Sequence, residues 1–324
     1  MNDFEKRINL NFPLEILSKE ICKNYNLGEF IKNELIKIGY EDYNYILTTN
    51  TGKYVVKVFS NLRTDEDCQN LADRASIPKK FNVSSPNIFD VNGKNLYIIN
   101  LKNIKFRLIV MEYIDGKDFY TLNKLPTIND LKYIGRETAK LNKIQFEPPF
   151  IYDCWAIINF ENEYNKNIKY VKDHEKELIE KAYKDFKLID FSKLKYGFVH
   201  GDIIETNVIC DKNRDLYFID FSVSNYLPRI MDLAVTICDL CLDLNDIEKS
   251  KQRISTYLNS YEQVFPLSQY EKKCLSTMIK CHQAITVLET TKEKFENNNL
   301  SQENLKFLNK GKLGLKIIYN NELI

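Results

Sequence analysis

Asp202 is followed by an Asn at position 207 and by a second Asp at position 220. They stand in Phe198-Val199-His200-Gly201-Asp202-Ile203-Ile204-Glu205-Thr206-Asn207-Val208-Ile209 and in Tyr217-Phe218-Ile219-Asp220-Phe221-Ser222, each beside β-forming residues. Phosphoryl transfer from a nucleotide needs such a set. One carboxylate must orient or deprotonate the attacking hydroxyl, and hard oxygen ligands must hold the Mg2+ that bridges the phosphates. Asp202 suits the first task, and Asn207 and Asp220 suit the second.

These groups need elements to position them. Residues 12–38 read as helical, with Leu14, Leu17, Ile21, Phe30, Ile31, Leu35 and Ile38 among the apolar positions and an interruption near Asn26-Leu27-Gly28. The period changes at Gly39. Tyr43, Tyr45 and Leu47 alternate with other residues, Asn50-Thr51-Gly52 reads as a turn, and Tyr54-Val55-Val56-Lys57-Val58-Phe59 is a second strand, which predicts a hairpin. A charged helix over 65–75 is expected to stop at Pro78 and Pro86, before strands at 95–99 and 106–113 with Asn92-Gly93 turning into the first. Beyond Asp115-Gly116 the pattern is mainly helical to the end, except for short strands at 197–200, 208–210 and 216–221. The predicted organisation is a small strand-rich part over 1–115 and a larger helical part over 116–324 carrying the two Asp loops.

Composition narrows the partners. The 46 Lys and Arg against 45 Asp and Glu give a net charge of +1, so no global field draws the chain to nucleic acid or an anionic membrane. No apolar run is long enough to span a bilayer, and Met1-Asn2-Asp3-Phe4-Glu5-Lys6 carries no secretory signature, so a soluble cytoplasmic protein is expected. Charge-rich runs such as 173–177 read as solvated helix faces. Of the eight cysteines, Cys238-x-x-Cys241 with Cys274, Cys281 and His282 sketches a zinc site. The stronger reading is core packing, because Ile230, Leu233, Ala234, Ile237, Cys238 and Cys241 recur at the spacing of one helical stripe.

The Asp202 and Asp220 segments resemble the catalytic and metal-binding loops of the protein kinase-like superfamily. His200-Gly201-Asp202 with Asn207, followed by Asp232-Leu233-Ala234, is most similar to the aminoglycoside phosphotransferase and choline kinase group. The resemblance implies an α+β, bilobal protein kinase-like fold with a small antiparallel-sheet N-lobe and a larger, mainly helical C-lobe. It implies ATP and Mg2+ as cofactors and the hydroxyl of a small molecule as acceptor. In that frame Asp202 is the catalytic base, Asn207 and Asp220 hold the metal, and Asp232 braces the catalytic loop. Lys57 pairs with the nucleotide phosphates and with an acid on the following helix, for which Glu66 is the candidate and Asp65 or Asp67 the alternatives. Glu112 and Tyr113 form the hinge against adenine. A Gly-x-Gly-x-x-Gly loop is absent; Gly39 and Tyr45 stand in its place. Tyr25, Gly28, Gly39, Asn44-Tyr45, Thr48 and Gly52 resemble the homoserine kinase branch of this group.

On the acceptor side, Arg229 has the fork for a substrate carboxylate, although an internal salt bridge is the preferred reading. Asp153, Trp155 and Glu161 are candidates for an amine or a sugar ring. The acceptors to be expected are an amino acid such as homoserine, an amino alcohol or an aminoglycoside. A protein Ser/Thr kinase and a catalytically silent nucleotide-binding scaffold are the rival readings.

Overall fold

In the computed structural model, residues 3–36 and 42–323 are described. The chain forms two compact units. One comprises Met1–Gly116, Asp211–Asn213 and Tyr217–Ser222; the other comprises Lys117–Cys210, Arg214–Leu216 and Val223–Ile324.

The first unit begins with helices α1 (Asp3–Lys6) and α2 (Leu14–Asn24), followed by strands β1 (Phe30–Ile36), β2 (Tyr43–Thr49) and β3 (Lys53–Val58). Helix α3 (Asp65–Lys80) leads to β4 (Ile88–Phe89), β5 (Tyr97–Leu101) and β6 (Ile104–Glu112). The strands make one antiparallel sheet in the order β1-β2-β3-β6-β4, with β5 also on β6. Side chains alternate along β2: Tyr43, Tyr45 and Leu47 enter the core with Leu17, Ile21, Val56, Val58, Phe106, Leu108 and Val110.

Two expectations are corrected here. Residues 30–36 form a strand where a helix was predicted. Their apolar residues fit either period, and pairing from Phe30↔Thr49 to Ile36↔Asn44 decides the matter. Helix α2 ends before Asn26, at φ +55°, and Gly28, at φ +83°. A Cβ at Gly28 would lie 2.1 Å from Asn50 Oδ1, the atom that accepts the Glu29 N–H and clasps the β2–β3 turn to this loop. Pro78 does not stop α3, which runs to Lys80. A proline in the last turn removes one donor only, and the Pro78 carbonyl still accepts the N–H groups of Phe81 and Val83.

The second unit contains β8 (Tyr196–Val199) and the unforeseen strand β11 (Asn225–Pro228), while β7 (Gly116–Asp118), β9 (Val208–Asp211) and β10 (Leu216–Phe218) each have residues assigned to both units. β11 pairs antiparallel with β8. Its helices are α4 (Phe119–Leu122), α5 (Ile128–Asn142), α6 (Phe160–Asn167), α7 (Asp173–Phe186), α8 (Ile230–Thr236), α9 (Ile247–Glu262), α10 (Gln269–Glu296) and α11 (Gln302–Asn320). Thr127 and Ser268 close capping boxes at the starts of α5 and α10. α10 is the hub, burying Leu275, Met278, Ile285 and Leu288 against α6, α7, α8 and α11.

The stripe from Ile230 to Cys241 is buried throughout, although the backbone passes from α8 into a π-helical turn over Ile237–Cys241. Cys238, Cys241, Cys274 and Cys281 are all buried, and burial pushes their thiols upward. Among the described residues, no cluster of three or more His, Cys, Asp or Glu is arranged to hold a metal, and no helix is long and apolar enough to cross a membrane.

Candidate active site

In the first unit, Lys57 lies on β3 opposite Asn44 and Ile109. Its Nζ is 3.3 Å from Asp220 Oδ1 and 3.7 Å from Asp42 Oδ2, with the side chain 15% exposed. Burial alone would lower the lysine pKa; the charges of Asp220 and Asp42 outweigh it, and the net shift is upward. The ammonium therefore stays charged.

Asp42 is the acid that the sequence reading missed. It is buried, and besides Lys57 it accepts the Ser60 N–H at 3.0 Å and Arg63 Nε at 3.2 Å. Helix α3 does not bring Glu66 to Lys57. Glu66 is exposed, Asp65 is held by Lys105 and Arg107, and Asp67 closes a capping box with Thr64. Two of the three acids in the first turn of α3 are thus engaged, Asp67 at the helix terminus and Asp65 on β6.

Asp220 has φ +61°, the left-handed region that costs a non-glycine residue energy. Its side chain is 48% exposed. Phe218, two residues before it, donates its N–H to Ser84 O at 2.9 Å, anchoring this segment to the first unit.

The other nucleotide-side candidates divide. Gly39 lies outside the described residues. Tyr45 is fully buried in the core, its hydroxyl accepting from Ser18 at 3.1 Å, so its ring packs the sheet instead of facing a phosphate. Glu112 ends β6, donates its N–H to Asn87 O at 2.8 Å and accepts the Asn87 N–H at 3.0 Å. The ring of Tyr113 lies 5.3 Å from Lys53 Nζ.

In the second unit, β8 runs into the loop that carries Asp202 and Asn207. Asn207 Nδ2 donates to Asp202 Oδ2 at 2.7 Å and to the Asp202 carbonyl at 3.0 Å. The Asp202 N–H donates to His200 Nδ1 at 3.3 Å, which makes that nitrogen an acceptor. Gly201, at φ +85°, supplies the turn between them.

Asp232 holds this turn from beneath. Completely buried, it accepts the His200 N–H at 3.0 Å, the Gly201 N–H at 2.8 Å and Asn142 Nδ2 at 2.7 Å. Burial raises its pKa to about 6, against the pull of these three bonds. The brace expected of Asp232 is present in the geometry. Ser224 adds a hydrogen bond to the His200 carbonyl at 3.1 Å.

The acceptor-side candidates also separate. Arg229 is fully buried, forks onto both oxygens of Glu271 at 2.7 and 2.8 Å and donates to the carbonyls of Phe265 and Pro266. It is an internal salt bridge and has no donor facing solvent. Glu161 is taken by Lys187 and Tyr183. Asp153 and Trp155 belong to a loop whose Ile151 exchanges two backbone bonds of 2.9 Å with the Asn225 side chain. Asn225 pairs with Val199, the residue before His200, so this loop lies beside the Asp202 turn. Burial raises the pKa of Asp153.

The chain matches solved structures along almost its whole length. A microcompartment-associated aminopropanol kinase aligns at a TM-score of 0.69 with 13% identity, covering 95% of this chain and 97% of the other. An amicoumacin kinase in complex with AMP-PNP, Ca2+ and Ami aligns at 0.68 with 16% identity, covering 98% and 97%. The α+β protein kinase-like fold is therefore the fold of this chain. Residues 32–267 match the family model described as "Phosphotransferase enzyme family", and the chain belongs to that family. Among its relatives, a homoserine kinase of Janthinobacterium sp. (strain Marseille) is 23% identical over 279 residues, 82% of each chain.

Proposed function

We propose that this protein is an ATP- and Mg2+-dependent kinase that phosphorylates the hydroxyl of a small amino-bearing acceptor, with homoserine as the first candidate. The observation that carries the reading is the Asp202 carboxylate held by Asn207 on a loop braced by buried Asp232. A carboxylate fixed in this way can take a hydroxyl proton without first reorganising its surroundings.

Residues 1–115 serve the nucleotide, and residues 116–324 carry the catalytic and metal-binding loops and the acceptor side. Lys57 binds phosphate oxygens. Asp220, half-exposed and already paired with a cation, and Asn207, whose amide keeps an oxygen acceptor beyond its Nδ2 bonds, fit the hard-ligand chemistry of Mg2+. When bound, the nucleotide supplies the phosphoryl group and the metal neutralises its charge. Asp202 orients the acceptor hydroxyl and accepts its proton. The curated relatives that are homoserine kinases support the amino acid over the amino alcohol and the aminoglycoside as acceptor.

The test is ADP release with ATP and Mg2+ across a panel of homoserine, other hydroxy-amino acids, amino alcohols and aminoglycosides. Turnover with homoserine, lost by roughly 100-fold or more in Asp202→Asn, is the expected result. Turnover confined to protein substrates, or an Asp202→Asn variant of full activity, would sink it.

A further inference from the structure

Asp232 supports only the first half of the Asp202 loop. The second half is held by a different set of residues. The Glu205 N–H donates to Asp239 Oδ1 at 2.7 Å, and the Glu205 carbonyl accepts the Tyr120 N–H at 3.0 Å. Its carboxylate, with the side chain only 12% exposed, pairs with Lys306 at 3.0 Å and lies 4.0 Å from Lys310. Lys310 then donates to Asp239 Oδ2 at 2.9 Å and to the Asp239 carbonyl at 3.1 Å. Lys306 also stands 3.9 Å over the ring of Tyr120.

Both lysines lie on α11, beyond residues 32–267 that the family model matches. The Lys310–Asp239 pair is nearly dry: the Asp239 side chain is 7% exposed and that of Lys310 16%. His282 faces the same cluster, but burial lowers its pKa to about 4 and leaves it neutral at ordinary pH. The charge on Asp239 is thus balanced by Lys310, whose own pKa is raised by Asp239 and Glu205 against the effect of burial. Without that cation, a buried carboxylate would lack its counter-charge, and the acceptor for the Glu205 N–H would no longer be fixed.

We infer that Lys310, aided by Lys306, is a positioning residue for catalysis: through Asp239 and Glu205 the final helix fixes the half of the loop that presents Asn207 to Asp202. The inference rests on the reading of Asp202 as the reacting carboxylate. A misplacement of about 1 Å in such a group lowers turnover by up to roughly 100-fold, so the effect belongs in kcat.

The experiment compares Lys310→Met, Lys310→Arg, Lys306→Met and, as a control on the same helix, Lys312→Met, whose ammonium is 3.7 Å from Glu175. Steady-state kinetics with the acceptor found for the wild type are combined with nucleotide affinity and amide hydrogen exchange of residues 203–207. Lys310→Met is expected to lower kcat by about 10- to 100-fold with unchanged nucleotide affinity and faster exchange in the loop, Lys306→Met by less, and Lys310→Arg to restore most of it. Unchanged kcat in folded Lys310→Met overturns the inference. So do a loss equal to that of Lys312→Met and a loss confined to thermal stability. Should Lys310→Met fail to fold, Lys306→Met decides: native exchange and native kcat reject the role. A wild type that turns over no acceptor, or an Asp202→Asn variant of full activity, tells instead against the reading of Asp202.

Discussion

Asp202 and Asp220 are both loop aspartates set next to short strands, yet they are held in opposite ways. The Asp202 loop is fixed by buried groups: Asp232 and Asp239 accept its backbone N–H groups, and Asn207 bonds the carboxylate itself. Asp220 is half-exposed, sits in left-handed backbone, and shares Lys57 with Asp42. Hydrogen bonds in a dry network are strong and expensive to leave unmade, whereas a partly exposed ion pair is worth little and exchanges partners readily. One region is thus organised before any ligand arrives. The other is charge-balanced in a way that an incoming anion and cation can redistribute.

Substitutions test this contrast, taken here in order of their effect on stability. Asp232→Ala orphans the N–H groups of His200 and Gly201 and leaves the Asn142 amide only the Phe198 carbonyl as acceptor, so a loss of about 3 kcal/mol or more is expected in urea unfolding, together with a collapse of turnover. A variant as stable as the wild type would show that the loop does not depend on its buried brace.

The second effect is a pH dependence. The native pKa of Asp232, about 6, lies above the ordinary value near 4, so the native state holds this proton more tightly than the unfolded chain. The resulting stabilisation is fully present below about pH 4 and is lost as pH rises through about 6, a span worth roughly 2 to 3 kcal/mol. Relative to Asp232→Asn, the wild type should lose stability across that interval, and parallel curves would remove Asp232 as the source. Activity moves the other way, because protonated Asp232 no longer accepts three bonds freely.

The smallest change in stability is expected for Asp220→Asn. Lys57 keeps Asp42, so unfolding should stay within about 1 kcal/mol of wild type while metal-dependent nucleotide binding, followed by calorimetry, is lost. A large destabilisation would erase the distinction between the two loops.

The sequence made the groups at 198–234 legible because their chemistry fixes both residue type and spacing, and the structure brings Asp202 to Asn207 and Asp232 to Gly201. The partner of Lys57 was less legible. An acid on the next helix was the natural expectation, but nothing in the run Asp65-Glu66-Asp67 tells a capping or surface carboxylate from a paired one. Asp42 carries no periodic signal at all, since it stands just before β2. Strand β1 is hidden in the sequence because Phe30, Ile31, Leu35 and Ile36 satisfy a helical period, and only long-range pairing with β2 separates the alternatives. Tyr45 stands where a glycine loop would be, but its alternation with Tyr43 and Leu47 points it into the core. The ion pairs of the α11 lysines are invisible in the sequence because their partners, Glu205 and Asp239, stand far earlier in the chain.

The segment Tyr217–Ser222 belongs to the first compact unit although some hundred residues separate it from Gly116. During synthesis, which proceeds from the N-terminus, the sheet of that unit emerges long before the strand that bonds Ser84 and the aspartate that neutralises Lys57. Until residue 222 has left the ribosome, Asp42 is the one anion paired with Lys57 among the described residues, and the nascent first unit cannot reach its native set of contacts. A fragment ending at Gly116 would reproduce this immature state, and residues 211–222 would have to be grafted back to complete it.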